Sequence, residues 1–185
     1  MQPNKARAAL WMDLALMAFL IGFDVVARLL PHAPGFMPVA ASALFAGRVL
    51  RIPALAVIVP LAAMGLSSLA MNPEDWRVEL VVYAFISVPA IAGMLSRRYN
   101  GLGATAAVMV GCSLLFFATS NFAVWFFGSM YSHDLAGLTQ SYVLALPFLE
   151  NSIAGDLFWS AVLFGGAWAI QNGACLLYTS DAADE

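Results

Sequence analysis

Ionisable side chains are rare inside the apolar segments of this 185-residue chain, and three of them share the first segment. Asp13, Asp24 and Arg28 lie on one stripe of a helix. At about 100° per residue, Asp13 and Asp24 differ in azimuth by about 20°, and Asp24 and Arg28 differ by about 40°. Asp24 precedes Arg28 by four residues, which is the favoured order for an ion pair on a helix. Charge is costly in lipid, so the stripe is predicted to face protein or a water-filled cavity.

The last apolar segment carries one further acid, Asp156. It lies six residues from Glu150, and Asp24 lies six residues from Leu30, so both carboxylates are about 9 Å from the same end of the bundle. Arg28 is then within reach of either acid. Two interpretations remain open: a polar site that opens outward, or a buried pair that only fixes the packing of the helices.

Polar and aromatic residues collect in the segments at this outer end. Aromatic residues at a membrane interface ordinarily act as anchors. Ser120 and Asn121, followed by an aromatic run too short to cross, instead predict backbone that lines a cavity. The candidate solute-binding residues are Asp24, Arg28, Asn121, Trp125, Tyr142, Asn151 and Asp156.

Each candidate has a chemical role in this interpretation. Arg28 holds an anionic or carbonyl group of the solute, and the acids orient its guanidinium. Asn121 and Asn151 donate and accept hydrogen bonds, while Trp125 or Tyr142 stacks on a ring.

The sequence contains no motif typical of catalysis, metal binding or ATP hydrolysis. His32 and His133 each stand alone, so we predict no metal site, no cofactor and no catalytic residue. One alternative is a membrane-embedded enzyme that acts on lipid or peptide through Ser120 or Asp156. Another is a non-catalytic assembly factor that uses faces of small residues, such as Ala43 with Gly47 or Ala161 with Gly165.

The composition indicates whether the chain folds in water or in a membrane. The chain is 62% hydrophobic and 10% charged, whereas soluble domains are about 45–50% apolar and about 25% charged. A water-soluble enzyme and a disordered chain are therefore excluded. Eight Lys and Arg residues form no polybasic patch, which argues against nucleic acid as a partner. The predicted fold is an all-α polytopic membrane bundle, with the lipid bilayer as its surroundings.

Six membrane spans are predicted from the apolar segments and their flanks. Residues 135–149 form a short apolar helix, which we interpret as re-entrant or tilted, and counting it gives an alternative of seven spans. Residues 120–134 do not form a clean span. The six predicted spans are Leu10–Leu30, Phe36–Leu50, Ile52–Met71, Trp76–Leu95, Leu102–Thr119 and Asn151–Ile170.

Basic residues are distributed unequally between the two ends of these spans. One end holds Lys5, Arg7, Arg48, Arg51, Arg97 and Arg98, and the other holds Arg28 and Arg77. The positive-inside rule then predicts a cytoplasmic N-terminus.

The last eleven residues, 175–185, differ from what precedes them. Their sequence resembles the translation of a transposase adapter used in sequencing libraries. We therefore expect one transmembrane domain over residues 1–174, followed by a non-native tail, and the alternative is a natural acidic tail.

Three stretches together resemble a bacterial family of uncharacterised membrane proteins assigned to transport. That family is similar to the substrate-binding S components of energy-coupling-factor transporters. The stretches are Arg28–His32 leading into Phe36–Gly47, then Thr119–Trp125, then Gly137, Leu138, Tyr142, Pro147, Phe148, Asn151, Gly155 and Asp156.

The resemblance implies a six-helix protein of the bacterial inner membrane that binds a small-molecule solute from the outer side. It also implies an energising ATPase with a coupling subunit as a partner. S components dock that subunit through an Ala-x-x-x-Ala face on their first helix. Here Ala15 and Ala18 are three residues apart, so the chain departs from that pattern.

Overall fold

The computed structural model describes residues 3–71, 75–99 and 101–181, and within these ranges the chain forms helices and no strand. This confirms the predicted all-α class. The helices are α1 (Pro3–Leu29), α2 (Val39–Val49), α3 (Pro53–Ser68), α4 (Trp76–Ile86), α5 (Val88–Leu95), α6 (Leu102–Phe127) and α7 (Leu135–Asp181).

Four of these helical segments are long and apolar enough to cross a membrane: α1, α4 together with α5, α6 and α7. The helices α4 and α5 are separated only at Ser87, and Pro89 is the second residue of α5. α2 and α3 are apolar but shorter. Counting α4 and α5 as one, the described ranges contain six helical segments, in agreement with a helical membrane bundle.

α2 lies at the centre of the bundle. Its 11 residues extend about 17 Å, which is less than the roughly 30 Å of a bilayer core. Every residue from Ala41 to Gly47 is buried, as expected for a helix that is hydrophobic on all sides. Gly47 faces Gly93 of α5 so closely that a β-carbon on either glycine would collide with the backbone of the other helix.

Arginine side chains converge on the C-terminal end of α2. Arg97 donates hydrogen bonds to the carbonyl oxygens of Gly47 and Leu50, and Arg48 donates to Ser96 and Thr105. Arg97 thereby satisfies carbonyl groups that a helix end leaves unpaired. Basic residues assigned to one side of the membrane therefore meet at one end of the bundle.

The stripe on α1 faces protein, as predicted. Asp13 and Asp24 are both buried, whereas Trp11 and Phe19 on the same helix are exposed. Asp13 accepts a hydrogen bond from the backbone N–H of Arg51 at 3.2 Å, which ties α1 to the start of α3.

Two expectations about the C-terminal half are wrong. α6 continues to Phe127, so Ser120 and Asn121 lie inside a regular helix and not in irregular backbone. Residues 135–149 are not a separate re-entrant helix, because α7 runs from Leu135 to Asp181 without a break. Glu, Asn and Ser each cost a helix well under 1 kcal/mol, and the single Pro147 does not end it.

Part of the predicted tail falls outside the described residues. α7 includes residues 175–181 in its helical backbone, and residues 182–185 lie beyond the described range. Residues 72–74, between the third and fourth predicted spans, lie outside it too.

Candidate functional site

A cavity of about 370 Å³ opens at the end of the bundle opposite the arginines around α2. Three of the seven candidate residues, Arg28, Asn121 and Asp156, line it. Most of its wall is apolar and comes from α3, α4, α6 and α7, including Met64, Val82, Ile86, Phe116, Phe117 and Phe148. An apolar pocket with a few convergent polar groups is typical of a site for a small ligand.

Arg28 extends from the last turn of α1 into this cavity. Its Nε donates to the Ser67 hydroxyl at 2.7 Å. In the part of the chain that the structure describes, its terminal nitrogens hydrogen-bond only to thioether sulfurs, with Nη1 at 3.6 Å from Met37 Sδ and Nη2 at 3.7 Å from Met71 Sδ. Thioether sulfur is a weak acceptor. The two terminal nitrogens therefore lack a strong partner among the described residues.

Asp156 reaches the cavity from α7. The carboxylate is buried, and its Oδ2 accepts a hydrogen bond from Ser113 of α6 at 2.6 Å. Cys112, the neighbour of Ser113, lines the same wall. This contact joins α6 and α7 and places a negatively charged or hydrogen-bonding group at the base of the cavity.

Ser120 and Asn121 line the cavity from the second half of α6. The side-chain amide nitrogen of Asn121 donates to the carbonyl oxygen of Phe117, one turn earlier, at 2.8 Å. The predicted polar pair therefore reaches the cavity through side chains that project from an intact helix.

Asp24 is not in the cavity lining. It is completely buried, and its Oδ1 accepts a hydrogen bond from Ser42 of α2 at 2.8 Å. Its Oδ2 has no hydrogen-bond partner within the described part of the chain.

The predicted pairing of Arg28 with Asp24 or Asp156 is not observed. The hydrogen bonds of Arg28 within residues 3–71, 75–99 and 101–181 go to Ser67, Met37 and Met71. Asp24 instead turns toward α2, because the long arginine side chain extends to the end of the bundle while the short carboxylate stays at its own depth.

Trp125, Tyr142 and Asn151 also lie outside the cavity lining. The Trp125 indole donates to the carbonyl oxygen of Ser132 at 2.9 Å and packs against the His133 ring. The Tyr142 hydroxyl donates to the carbonyl oxygen of Ala118 at 2.6 Å. These contacts join α6 to α7 and to the loop between them.

Several lining residues were absent from the sequence-based set. Glu79 projects from α4 and Ser113 from α6, while Met37 and Met71 contact Arg28. Glu79 had a detectable signal, because it is an acid in the first turn of an apolar span. Ser113 and the methionines had none, since such residues are ordinary in any membrane helix.

No three His, Cys, Asp or Glu residues are grouped closely enough to hold a metal ion within the described ranges. The polar groups of the cavity include one guanidinium, two carboxyl groups, an amide and hydroxyls, which are able to form charge-assisted and neutral hydrogen bonds.

Comparison with known proteins identifies a family but no characterised relative. The searches of curated proteins and of solved structures give no significant match. A family model described as a family of unknown function matches residues 8–177, which is nearly all of α1 to α7. The chain therefore belongs to the DUF6580 family, a family of unknown function.

Proposed function

We propose that this membrane protein is a transport component that binds a small solute in the cavity between α1, α3, α4, α6 and α7. The observation that carries the proposal is the cavity itself, where Arg28, Asn121 and Asp156 from three different helices meet in an otherwise apolar wall. A volume of about 370 Å³ lies at the small end of the range for small-molecule pockets.

The unequal charge of the two ends supports entry from the outer side. Arg48, Arg51 and Arg97 lie at the end opposite the cavity. The positive-inside rule assigns the end rich in arginine to the cytoplasm. In this orientation the N-terminus is cytoplasmic, and the cavity faces the outside of a bacterial inner membrane.

The proposed role is binding and passage, with energy supplied by another component. The chain carries no nucleotide-binding motif, and the resemblance to S components favours an energising ATPase with a coupling subunit. Isolation of the protein from native membranes in mild detergent tests this partnership, since such an ATPase should co-purify with it.

Solute binding is tested by a substitution that places a larger side chain in the cavity. Ser120 lines the cavity, whereas Thr139 is exposed on α7. We expect solutes from a metabolite panel to raise the melting temperature of the wild-type protein and of Thr139→Leu. Ser120→Leu should remove that response while keeping the melting temperature of the free protein within a few degrees.

Absence of any stabilising solute would contradict the proposal. Equal responses in Ser120→Leu and wild type would place the binding site elsewhere. Chemical conversion of a bound lipid or peptide, lost in Asp156→Asn and retained in Glu150→Gln, would instead favour the membrane-embedded enzyme. Glu150 is a suitable control because it is exposed on α7 and does not line the cavity.

A further inference from the structure

We infer that the solute is a small monocarboxylate with an apolar body, and that its carboxylate binds to the terminal nitrogens of Arg28 in place of Met37 and Met71. This inference rests on the proposed solute-binding function and adds the chemical class of the solute. Four features of the described residues support it: the hydrogen bonds of Arg28, the direction of α2, the charges in the cavity and the composition of its wall.

The hydrogen bonds of Arg28 leave one edge of the guanidinium for a ligand. Ser67 occupies Nε, and Ser67 is itself held by donating to the carbonyl oxygens of Ala63 or Met64. The guanidinium is thus fixed on one side. Among the described residues the terminal nitrogens hydrogen-bond only to sulfur, and a carboxylate receiving two parallel N–H···O bonds is their preferred partner.

The two methionines are suited to give way to a ligand. Met37 lies in the segment before α2, and Met71 follows the end of α3. Both therefore lie outside the helices, and a methionine side chain has three rotatable bonds. Displacing a thioether from the guanidinium costs little compared with the charge-assisted hydrogen bonds that replace it.

The N-terminus of α2 points toward the same cavity. Val39 and Ala40, its first two residues, both line the cavity. The first N–H groups of a helix have no partner within the helix and carry partial positive charge. They add to the positive potential that Arg28 provides for an anion.

The acids in the cavity limit the charge of the solute. Glu79 and Asp156 line the same space as Arg28. A phosphate monoester, with a charge of about −1.5 to −2 at neutral pH, is disfavoured beside two acids. A carboxylate brings a single negative charge, so the two acids repel it less than they repel a phosphate monoester.

The rest of the wall favours an apolar body. Phe116, Phe117 and Phe148 supply aromatic surface, while Val82 and Ile86 supply aliphatic surface. Burying apolar surface stabilises a complex, so a carboxylate with a ring or short alkyl chain binds better than acetate.

The experiment compares carboxylates with neutral amides of the same shape. The probes are benzoate with benzamide, phenylacetate with phenylacetamide, and hexanoate with hexanamide, and phenyl phosphate tests a phosphate ester. Dissociation constants are measured by titration of the purified full-length protein in detergent. In the wild type, we expect at least one carboxylate to bind about tenfold or more tightly than its amide and than phenyl phosphate.

Variants of Arg28 identify the group that recognises the charge. Arg28→Gln should abolish the preference for the carboxylate, and Arg28→Lys, which keeps the charge but loses the two-pronged edge, should weaken carboxylate binding about tenfold. Arg77→Gln is the matched control, because Arg77 lies at the same end but stacks on Trp76 and does not line the cavity. It should bind like the wild type.

The outcomes separate the two proposals. Amides that bind as tightly as their carboxylates, with a response removed by Ser120→Leu, overturn the monocarboxylate class and leave solute binding intact. Phenyl phosphate binding more tightly than every carboxylate also overturns the class. If no metabolite and no probe binds, the proposed function fails, and this inference fails with it. The wild-type comparison does not depend on the folding of any variant.

Discussion

Ser42 of α2 donates a hydrogen bond of 2.8 Å to Asp24 of α1, and both side chains are completely buried. The pair joins the first helix to the central one at a depth where neither side chain meets solvent. Asp24 Oδ2 has no partner in the described part of the chain, so the hydroxyl of Ser42 is the main compensation for burying this carboxyl group.

Removing that hydroxyl should destabilise the bundle. We expect Ser42→Ala to lower the free energy of unfolding by about 1–3 kcal/mol, because it leaves a buried acceptor without its donor. Reversible unfolding in mixed micelles measures the change. The same substitution in an Asp24→Asn background should cost as much or less, and a larger cost there would contradict the assigned pairing.

Asp24 and Arg28 should attract each other only weakly, through space and without a hydrogen bond. They share a helix face but make no hydrogen bond with each other. A double-mutant cycle of Asp24→Asn and Arg28→Gln is expected to give a coupling energy within about 0.5 kcal/mol. A coupling above about 1 kcal/mol would show that the two charges act as a pair after all.

Gly47 should tolerate no side chain. A β-carbon there would overlap the carbonyl oxygen of Ala90, and one at Gly93 would overlap that of Leu44. Gly47→Ala should therefore lower stability by about 1–3 kcal/mol. Gly65, inside α3 with no atom near its added β-carbon, is the control, and Gly65→Ala should gain up to about 1 kcal/mol. Equal effects at both glycines would contradict the close contact of α2 with α5.

Met37 and Met71 should be replaceable without loss of solute binding. Leucine has a similar volume and lacks the sulfur that contacts Arg28, so the double variant Met37→Leu with Met71→Leu should change stability by less than about 1.5 kcal/mol. Carboxylate probes should bind it as tightly as the wild type or more tightly. Weaker binding would mean that the thioethers contact the solute and do not merely occupy its place.

Protonation of Asp134 should lower the stability of the folded protein at acidic pH. It accepts hydrogen bonds from the Gly137 backbone N–H at 2.7 Å and from the Ser132 hydroxyl at 2.8 Å, just before α7 begins. These bonds favour the ionised form and lower its pKa below the usual 3.8. The stabilisation is present above pH 3.8 and disappears as the pH falls through the folded pKa.

The comparison variant for this effect is Asp134→Asn, which is neutral at every pH. At pH 7 it should melt at a lower temperature than the wild type, and the difference should shrink as the pH falls below 3.8. A difference that stays constant between pH 7 and strongly acidic pH would show that the charge of Asp134 is not involved.

The sequence predicted the helix ends well where proline, glycine or polar residues interrupt the apolar segments. Pro31, Pro34 and Gly35 follow the end of α1, and a polar stretch before Gly101 separates α5 from α6, close to the predicted span ends at Leu30 and Leu95. The predicted separation of residues 135–149 from the span that begins at Asn151 is wrong. Pro147 and the polar residues after it are of types common in loops. Packing overrides that signal, and Gly155 lies against the backbone of Phe36.

The candidate site was predicted in part for a related reason. Arg28 and Asp156 stood out because charge in an apolar segment requires compensation, and both reach the cavity. The residue with which each of them forms a hydrogen bond depends on side-chain length and on how the neighbouring helices are rotated about their axes. The sequence does not show these, so Ser67 and Ser113 were missed, while Trp125 and Tyr142 turned out to join α6 and α7.

The shortness of α2 bears on how the protein is made. A segment of 11 residues is too short to remain across a bilayer alone, and its many alanines offer little apolar surface to hold it there. We therefore expect the longer helices to enter the membrane first and to enclose α2 in a second stage. Damage to the contacts around Gly47 would then leave this segment unsheltered and expose the newly made chain to membrane proteases.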